Sequence, residues 1–221
     1  MKKLLLLFVL LITVNQLIAQ IDMAMELSNL SIEVKKRGFE KDAFIEGTPY
    51  ATEANSTGIF YQKNKTVVKT PTRLNYFLNC FEFELKEKTF SVIANTIDSV
   101  ILDGATYFYR TFNVNGKNLQ RAVKVIDRLG SNKIYVYQGV EFNPEVKARG
   151  YVEPKPACYE WEEPIYIFEI GDKLITLNNF KEVTKTFPDK EKEIKKFIKD
   201  NKISKDNPNE LKLLLGYLSK L

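Results

Sequence analysis

Apolar and polar positions alternate with period two along most of residues 59–178, and from residue 179 onward the apolar spacing switches to three and four. The first pattern predicts strands, the second helices. Short strand-like runs at 59–62 and 66–69 flank Lys63-Asn64-Lys65, a connection of hairpin length. Residues 73–85 change parity part-way: Leu74, Tyr76 and Leu78 share one face, Phe81, Phe83 and Leu85 the other. A single straight strand cannot send both sets into one core, so a bulge or a tight turn is expected at Leu78-Asn79. Further runs cover 89–94, 99–102, 106–114, 118–129, 133–142, 165–170 and 174–177. Between them stand turn residues, including Lys86-Glu87-Lys88, Asp103-Gly104, Asn115-Gly116, Gly130-Ser131-Asn132 and Gly171-Asp172-Lys173. Strands separated only by turns predict an α+β, mainly β fold: an antiparallel meander of about eight to ten strands, forming a sandwich or a half-open barrel.

Residues 143–164 interrupt the rhythm. They hold four of the eight prolines, one of the two cysteines and the single tryptophan, and are expected to form an irregular loop. Beyond 178, Asn179 followed by Glu182 has capping-box spacing, with Phe180, Val183 and Phe187 on one face. Ile194, Phe197 and Ile198 mark a second helix. Asn207, Pro208 and Glu210 mark the start of a third, lined by Leu211, Leu214, Leu215 and Leu218. Two or three C-terminal helices should therefore pack on the sheet. Residues 20–46 read as either helix or strand, Gly47-Thr48-Pro49-Tyr50 reads as a loop with Tyr50 covering a sheet edge, and residues 47–178 form the β domain.

The N-terminus has a different character. Lys2 and Lys3 precede an apolar run over 4–14 and a short exit ending in Ala19-Gln20, the layout of a secretory signal peptide over residues 1–19 cleaved after Ala19 or Gln20. The run is too short for a permanent span, and no later stretch is apolar for the roughly 20 residues a transmembrane helix needs. The protein is therefore expected to be exported: periplasmic, secreted or peripherally attached to the outer membrane. Residues 181–221 carry eleven lysines against seven acids, so the net positive charge is a property of the tail. Lysines interleaved with acids at helical spacing suit a solvated helix face rather than a nucleic-acid stripe, and no nucleic-acid partner is expected.

Composition narrows the chemistry. With no histidine, Ser-His-Asp and Cys-His catalysis and every histidine-ligated metal site are ruled out, and two cysteines are too few for a thiolate zinc site. No metal or cofactor is expected. Cys80 and Cys158 in an oxidising compartment predict a disulfide tying the irregular loop to the sheet, worth roughly 4 kcal/mol if unstrained, against the alternative of two buried thiols. Carboxylates remain the only candidate catalytic groups. Glu82 and Glu84 share a strand face opposite Phe81 and Phe83 and are expected to face solvent, and Glu160, Glu162 and Glu163 surround Tyr159 and Trp161 in a cluster suited to a sugar or a cation. Arg73 and Asn75 project to one side, where Arg73 can pair with a carboxylate of the sheet or bind an anion. Asp98-Ser99-Val100 matches a short O-glycosylation acceptor pattern, with Ser99 as the acceptor.

Gly47-Thr48-Pro49-Tyr50, the Arg73-x-Asn75 pair followed by Phe81-Glu82-Phe83, and an ending that runs Phe187-Pro188-Asp189-Lys190, then Ile194 to Lys199, then Asn201 to Ile203, resemble a functionally uncharacterised family of exported Bacteroidota proteins over about residues 44–221. Members show Gly-x-Pro-Tyr, then Leu-Arg-Tyr-Asn with a Glu-Phe strand, then a lysine-rich helical end. This chain departs from that pattern at Arg73-Leu74-Asn75, at Cys80 and at Tyr217-Leu218. The resemblance implies export and a β-plus-helix plan, and no activity. Function is therefore expected to be that of a non-catalytic envelope binding module contacting a glycan, a peptide or an envelope protein through Tyr159, Trp161, Arg73 and Asn75. The rivals are a histidine-free carboxylate hydrolase or glycan-active enzyme, and a peripheral protein held to anionic membranes by its lysine-rich tail.

Overall fold

A computed structural model describes residues 31–33, 44–52, 54–114, 116–147 and 153–221. Residues 1–19, expected to be a signal peptide, and most of residues 20–46 lie outside the described residues. The strands are β1 (Ser31–Glu33), β2 (Ile45–Glu46), β3 (Ser56–Gln62), β4 (Val67–Asn75), β5 (Cys80–Leu85), β6 (Lys88–Val92), β7 (Ile97–Leu102), β8 (Ala105–Val114), β9 (Lys117–Leu129), β10 (Asn132–Tyr137), β11 (Val140–Asn143), β12 (Ala157–Trp161), β13 (Ile165–Ile170) and β14 (Lys173–Thr176). Eleven form one sheet in the order β1-β6-β5-β4-β3-β7-β8-β9-β10-β13-β14, and three form a second in the order β11-β12-β2. The large sheet is antiparallel throughout and does not close into a barrel. Two-residue reversals set much of its register. Asp103 and Gly104 both have positive φ, as a type I′ hairpin requires, and Lys86 and Glu87 make the same reversal without glycine.

The parity change in residues 73–85 is a turn. β4 ends at Asn75, β5 begins at Cys80 opposite it, and Tyr76 to Asn79 make the connection, with Asn79 at φ 52°. Leu74 and Phe81 then bury on the same side. In two places the expected pattern differs from the fold. Residues 133–142 are two strands, because the chain leaves the large sheet at Gln138-Gly139 and β11 joins the small one. The span 143–164 is not wholly irregular, because β12 returns along β11 and also pairs in parallel with β2.

Consecutive residues of β8 close two opposed curls of the large sheet. Phe81 on β5 lies 5.5 Å from Tyr107 and 6.1 Å from Tyr109 on β8, centroid to centroid. Those strands are four positions apart, a span of about 19 Å in a flat sheet. The sheet must roll inward there, and the roll encloses Phe60, Val68, Leu74, Phe83 and Val100 with them. Asn79 fastens it by accepting a 2.6 Å hydrogen bond from the Ala122 amide of β9. Arg110, the residue after Tyr109, points to the opposite face. Its Nε is 3.3 Å from Glu169 Oε2 on β13, three positions away, and β14 lies against β8. This second roll encloses Phe112, Val123, Tyr135, Tyr137 and Ile167.

Helices cover the outside of the second roll: α1 (Lys181–Thr186), α2 (Glu191–Asp200) and α3 (Pro208–Leu218). They bury Val183, Ile194, Leu211, Leu214, Leu215 and Leu218 against Ile134, Phe168 and Ile175, each fully buried leucine contributing about 2 kcal/mol. A bulge in β9 opposite Ile134 and Tyr135 turns Ile126 to the helix side. The start of α3 has the expected cap, since Asn207 Oδ1 accepts from the Asn209 amide and Glu210 accepts from the Asn207 amide side chain. Asn179 does not cap α1. It stands one residue too early, Phe180 takes the cap position, and Asn179 Oδ1 accepts from the Lys181 amide in a local turn.

Glu169 gathers Lys133 Nζ at 3.1 Å, Arg110 and the Tyr135 hydroxyl. Burial pushes its carboxyl pKa up, but the Tyr135 and Lys133 hydrogen bonds and the two cationic charges outweigh burial and hold it below the ordinary carboxylate range. A depressed folded-state pKa gives stability that is present above the unfolded value of about 4.3 and is lost as pH falls through the folded value. Glu169→Gln is therefore expected to lower stability at neutral pH, with the gap between native and variant closing below about pH 4 in urea unfolding series.

Candidate functional site

The period-two face of β5 that carries Cys80, Glu82 and Glu84 opposes the face that carries Phe81 and Phe83. At its inner end that face is covered. Glu82 is only 3% exposed, which corrects the expectation that it faces solvent. Alternation along a strand states which residues share a face; it does not state whether a second layer lies over them. Here residues 44–50 and the small sheet supply that layer, while Glu84, farther along, stays exposed.

A buried carboxylate needs partners, and Glu82 has them on both oxygens. Asn75 Nδ2 donates to Oε1 at 2.9 Å, and the Tyr50 hydroxyl donates to Oε2 at 2.8 Å. Arg73 Nε stands 3.7 Å from Oε2, and the Arg73 guanidinium lies 4.0 Å over the Tyr50 ring. Asn75 Oδ1 accepts the Leu78 amide, so the same side chain also holds the Tyr76–Asn79 turn. Burial, followed by the bond to Glu82, raises the pKa of Tyr50 and keeps it a donor. Arg73 thus pairs with a sheet carboxylate, and Asn75 has its side chain fully engaged inside the protein.

The turn also carries Phe77 and Tyr76 to the small sheet. Phe77 packs edge-on against Tyr159 at 5.6 Å and Phe142 at 6.3 Å, and Trp161 leans on Tyr76 at 5.0 Å. Gly47, at φ 73°, passes so near Tyr159 that a Cβ would stand 2.8 Å from its carbonyl oxygen; glycine is required for β2 to run beside β12. Trp161 remains 45% exposed at the surface end of this layer. Tyr76, which supports it, also lines a cleft of about 180 Å³, together with Thr52, Arg73, Tyr107, Asp103 and Lys124.

The fold therefore brings Arg73, Asn75, Tyr159 and Trp161 into one region through Tyr50, Tyr76 and Phe77. Sequence spacing does not reveal those three linking residues, although Tyr50 stands in the Gly-x-Pro-Tyr motif. It does not bring the five candidate carboxylates together. Only Glu82 is buried, and it is saturated; Glu84, Glu160, Glu162 and Glu163 are exposed, with Glu160 accepting a bond from Asn143. Ser99 is half-buried on β7, between β3 and β8. Among the described residues there is no cluster of three metal-ligating side chains and no helix long and apolar enough to cross a membrane. No protein-family model, curated protein or solved structure matches the chain.

The expected disulfide is absent, and both cysteines are free. Cys80 lies on β5 with its sulfur 3.9 Å from Glu82 Oε1, whereas Cys158 lies in the small sheet opposite Asn143 and Glu46. They belong to different layers, each held by its own hydrogen-bond ladder. Burial pushes the Cys80 thiol up to about 11, which leaves it protonated and slow to react at neutral pH. Thiol titration of the denatured protein without reductant is expected to count two free thiols, and in the native protein Cys80 should alkylate only after unfolding. One disulfide in place of two thiols would contradict the separation of the layers.

Proposed function

We propose that the protein is an exported, non-catalytic binding module of the bacterial envelope that takes its ligand on the Trp161–Tyr76 platform and the adjoining cleft. The observation that carries this reading is the state of Trp161: half exposed, yet its ring held against Tyr76, which itself lines the cleft. An exposed aromatic normally loses rotamer freedom when a ligand covers it; one already braced by a second ring loses less. Rigid stacked rings suit the flat apolar face of a sugar or the side chain of a peptide. Arg73, Lys124 and Asp103 place charge of both signs around the cleft to orient the polar part of such a ligand.

Export is supported by the basic start, the apolar run over 4–14 and the resemblance to exported Bacteroidota proteins. An enzymatic role has no comparable support, because among the described residues the one buried side-chain carboxylate that the candidates include, Glu82, already accepts from Tyr50 and Asn75 and has none of the other candidate acids beside it.

Trp161 is the only tryptophan, so emission excited selectively in tryptophan, beyond the absorption of the tyrosines, reports on the platform alone. Titration with soluble envelope glycan fragments and with envelope-derived peptides is expected to give a saturable change of emission with one of the two classes. Trp161→Ala should weaken that binding at least about ten-fold by calorimetry, the effect of losing an aromatic anchor. Binding that leaves the emission unchanged and survives Trp161→Ala would refute the platform.

A further inference from the structure

In the linear sequence the lysines of the tail are mixed with acids, but α2 sorts them. Lys192, Lys195, Lys196 and Lys199 recur at i, i+3, i+4 and i+7 and are all exposed, forming one stripe along the helix. Ile194, fully buried, and the partly buried Phe197 and Ile198 occupy the opposite side. Glu191, Glu193 and Asp200 fall on the flanks. Of these, Glu191 pairs with Lys195, and Glu193 pairs with Lys190 at 3.0 Å, outside the stripe. Among the described residues Lys192, Lys196 and Lys199 form no ion pair, nor does Lys181 on α1.

Beside the stripe, between α1 and α2, lies a groove of about 230 Å³. Phe180 and Ile198 supply apolar walls; Lys181, Lys195 and Lys199 rim it, with Thr184 between. A surface combining an apolar slot with a line of lysines, of which Lys192, Lys196 and Lys199 are unpaired among the described residues, complements a layer of anionic headgroups over hydrocarbon.

We propose that the α1–α2 face docks on an anionic phospholipid bilayer, the lysine stripe lying along the headgroup phosphates and the Phe180–Ile198 groove receiving the apolar part of one lipid. The dock is independent of the Trp161 platform, since the two surfaces share no residue. An acidic protein partner is the competing occupant, and the same experiment separates it.

The test is co-sedimentation of the full chain with vesicles of equimolar phosphatidylglycerol and phosphatidylcholine. Three proteins are compared: native, Lys192→Glu/Lys196→Glu/Lys199→Glu, and a control with the same change of charge, Lys63→Glu/Lys65→Glu/Lys69→Glu, around the β3–β4 hairpin. All six lysines are exposed, so each variant should keep the native unfolding midpoint within about 2–4 °C. The stripe variant is expected to lose at least about ten-fold in vesicle affinity and the control less than about three-fold, with native binding weakening as salt rises from about 0.05 to about 0.5 M. Neither loss should appear on vesicles of phosphatidylcholine alone. Equal losses in both variants, or a stripe variant that binds as well as native, would overturn the proposal. Absence of native vesicle binding would also overturn it, and stripe-dependent binding of an acidic protein in its place would favour the competing occupant.

Discussion

A carboxyl group taken out of water is costly unless partners replace its hydration, and the candidate site is built around meeting that demand for Glu82. The partners come from two places. Asn75 and Arg73 stand on the neighbouring strand β4, put opposite Cys80 and Glu82 by the hairpin register. Tyr50 comes from a separate segment twenty-odd residues upstream, which reaches the hairpin through a bridge to Asn75 and a bond from the Tyr76 amide to the Pro49 carbonyl. Were the upstream segment to leave, Glu82 Oε2 would lose the Tyr50 hydroxyl and keep only the longer contact to Arg73. Through β2 and its parallel pairing with β12, the same segment joins the small sheet that carries Tyr159 and Trp161. The order of the exposed Trp161–Tyr76 pair is therefore tied to a carboxylate buried beneath the surface.

The large sheet shows the same economy at β8. Tyr109 and Arg110 are adjacent, and strand alternation sends them to opposite faces, where one closes the roll over Phe81 and the other the roll over Tyr135 and Glu169. One strand thus serves two cores. The second roll leaves its convex side apolar, with Ile134, Tyr166 and Phe168 outward, and the C-terminal helices cover it. Removing water from that side is the reason for the tail, and its outer face is left free for the lysine stripe of α2.

Local chemistry made much of this legible beforehand. Asp103-Gly104 reverses between β7 and β8 as the dipeptide implies, β8 and β9 pair up to Val114 and Lys117 around the Asn-Gly signal, and the Asn207-Pro208-Glu210 cap opens α3. The parity change at Leu78-Asn79 marked the hairpin on which the site stands. Tertiary coverage was the part that could not be read. Glu82 sits on a polar stripe indistinguishable from that of Glu84, and only the arrival of residues 44–50 and of the small sheet separates their fates. Cys80 and Cys158 each sit in a strand, and whether two strands from different layers face one another is not encoded in either. Lys86 and Glu87 form a two-residue reversal at positive φ without the usual glycine or asparagine, because the paired strands on each side hold it.

The dependence of the outer layer on Glu82 is tested most directly by a double-mutant cycle. Stabilities of native protein, Tyr50→Phe, Glu82→Gln and the double variant, measured by urea unfolding, should show a coupling of about 1–2 kcal/mol between the two positions. Additivity within about 0.3 kcal/mol would show that Tyr50 and Glu82 act separately and would contradict the account.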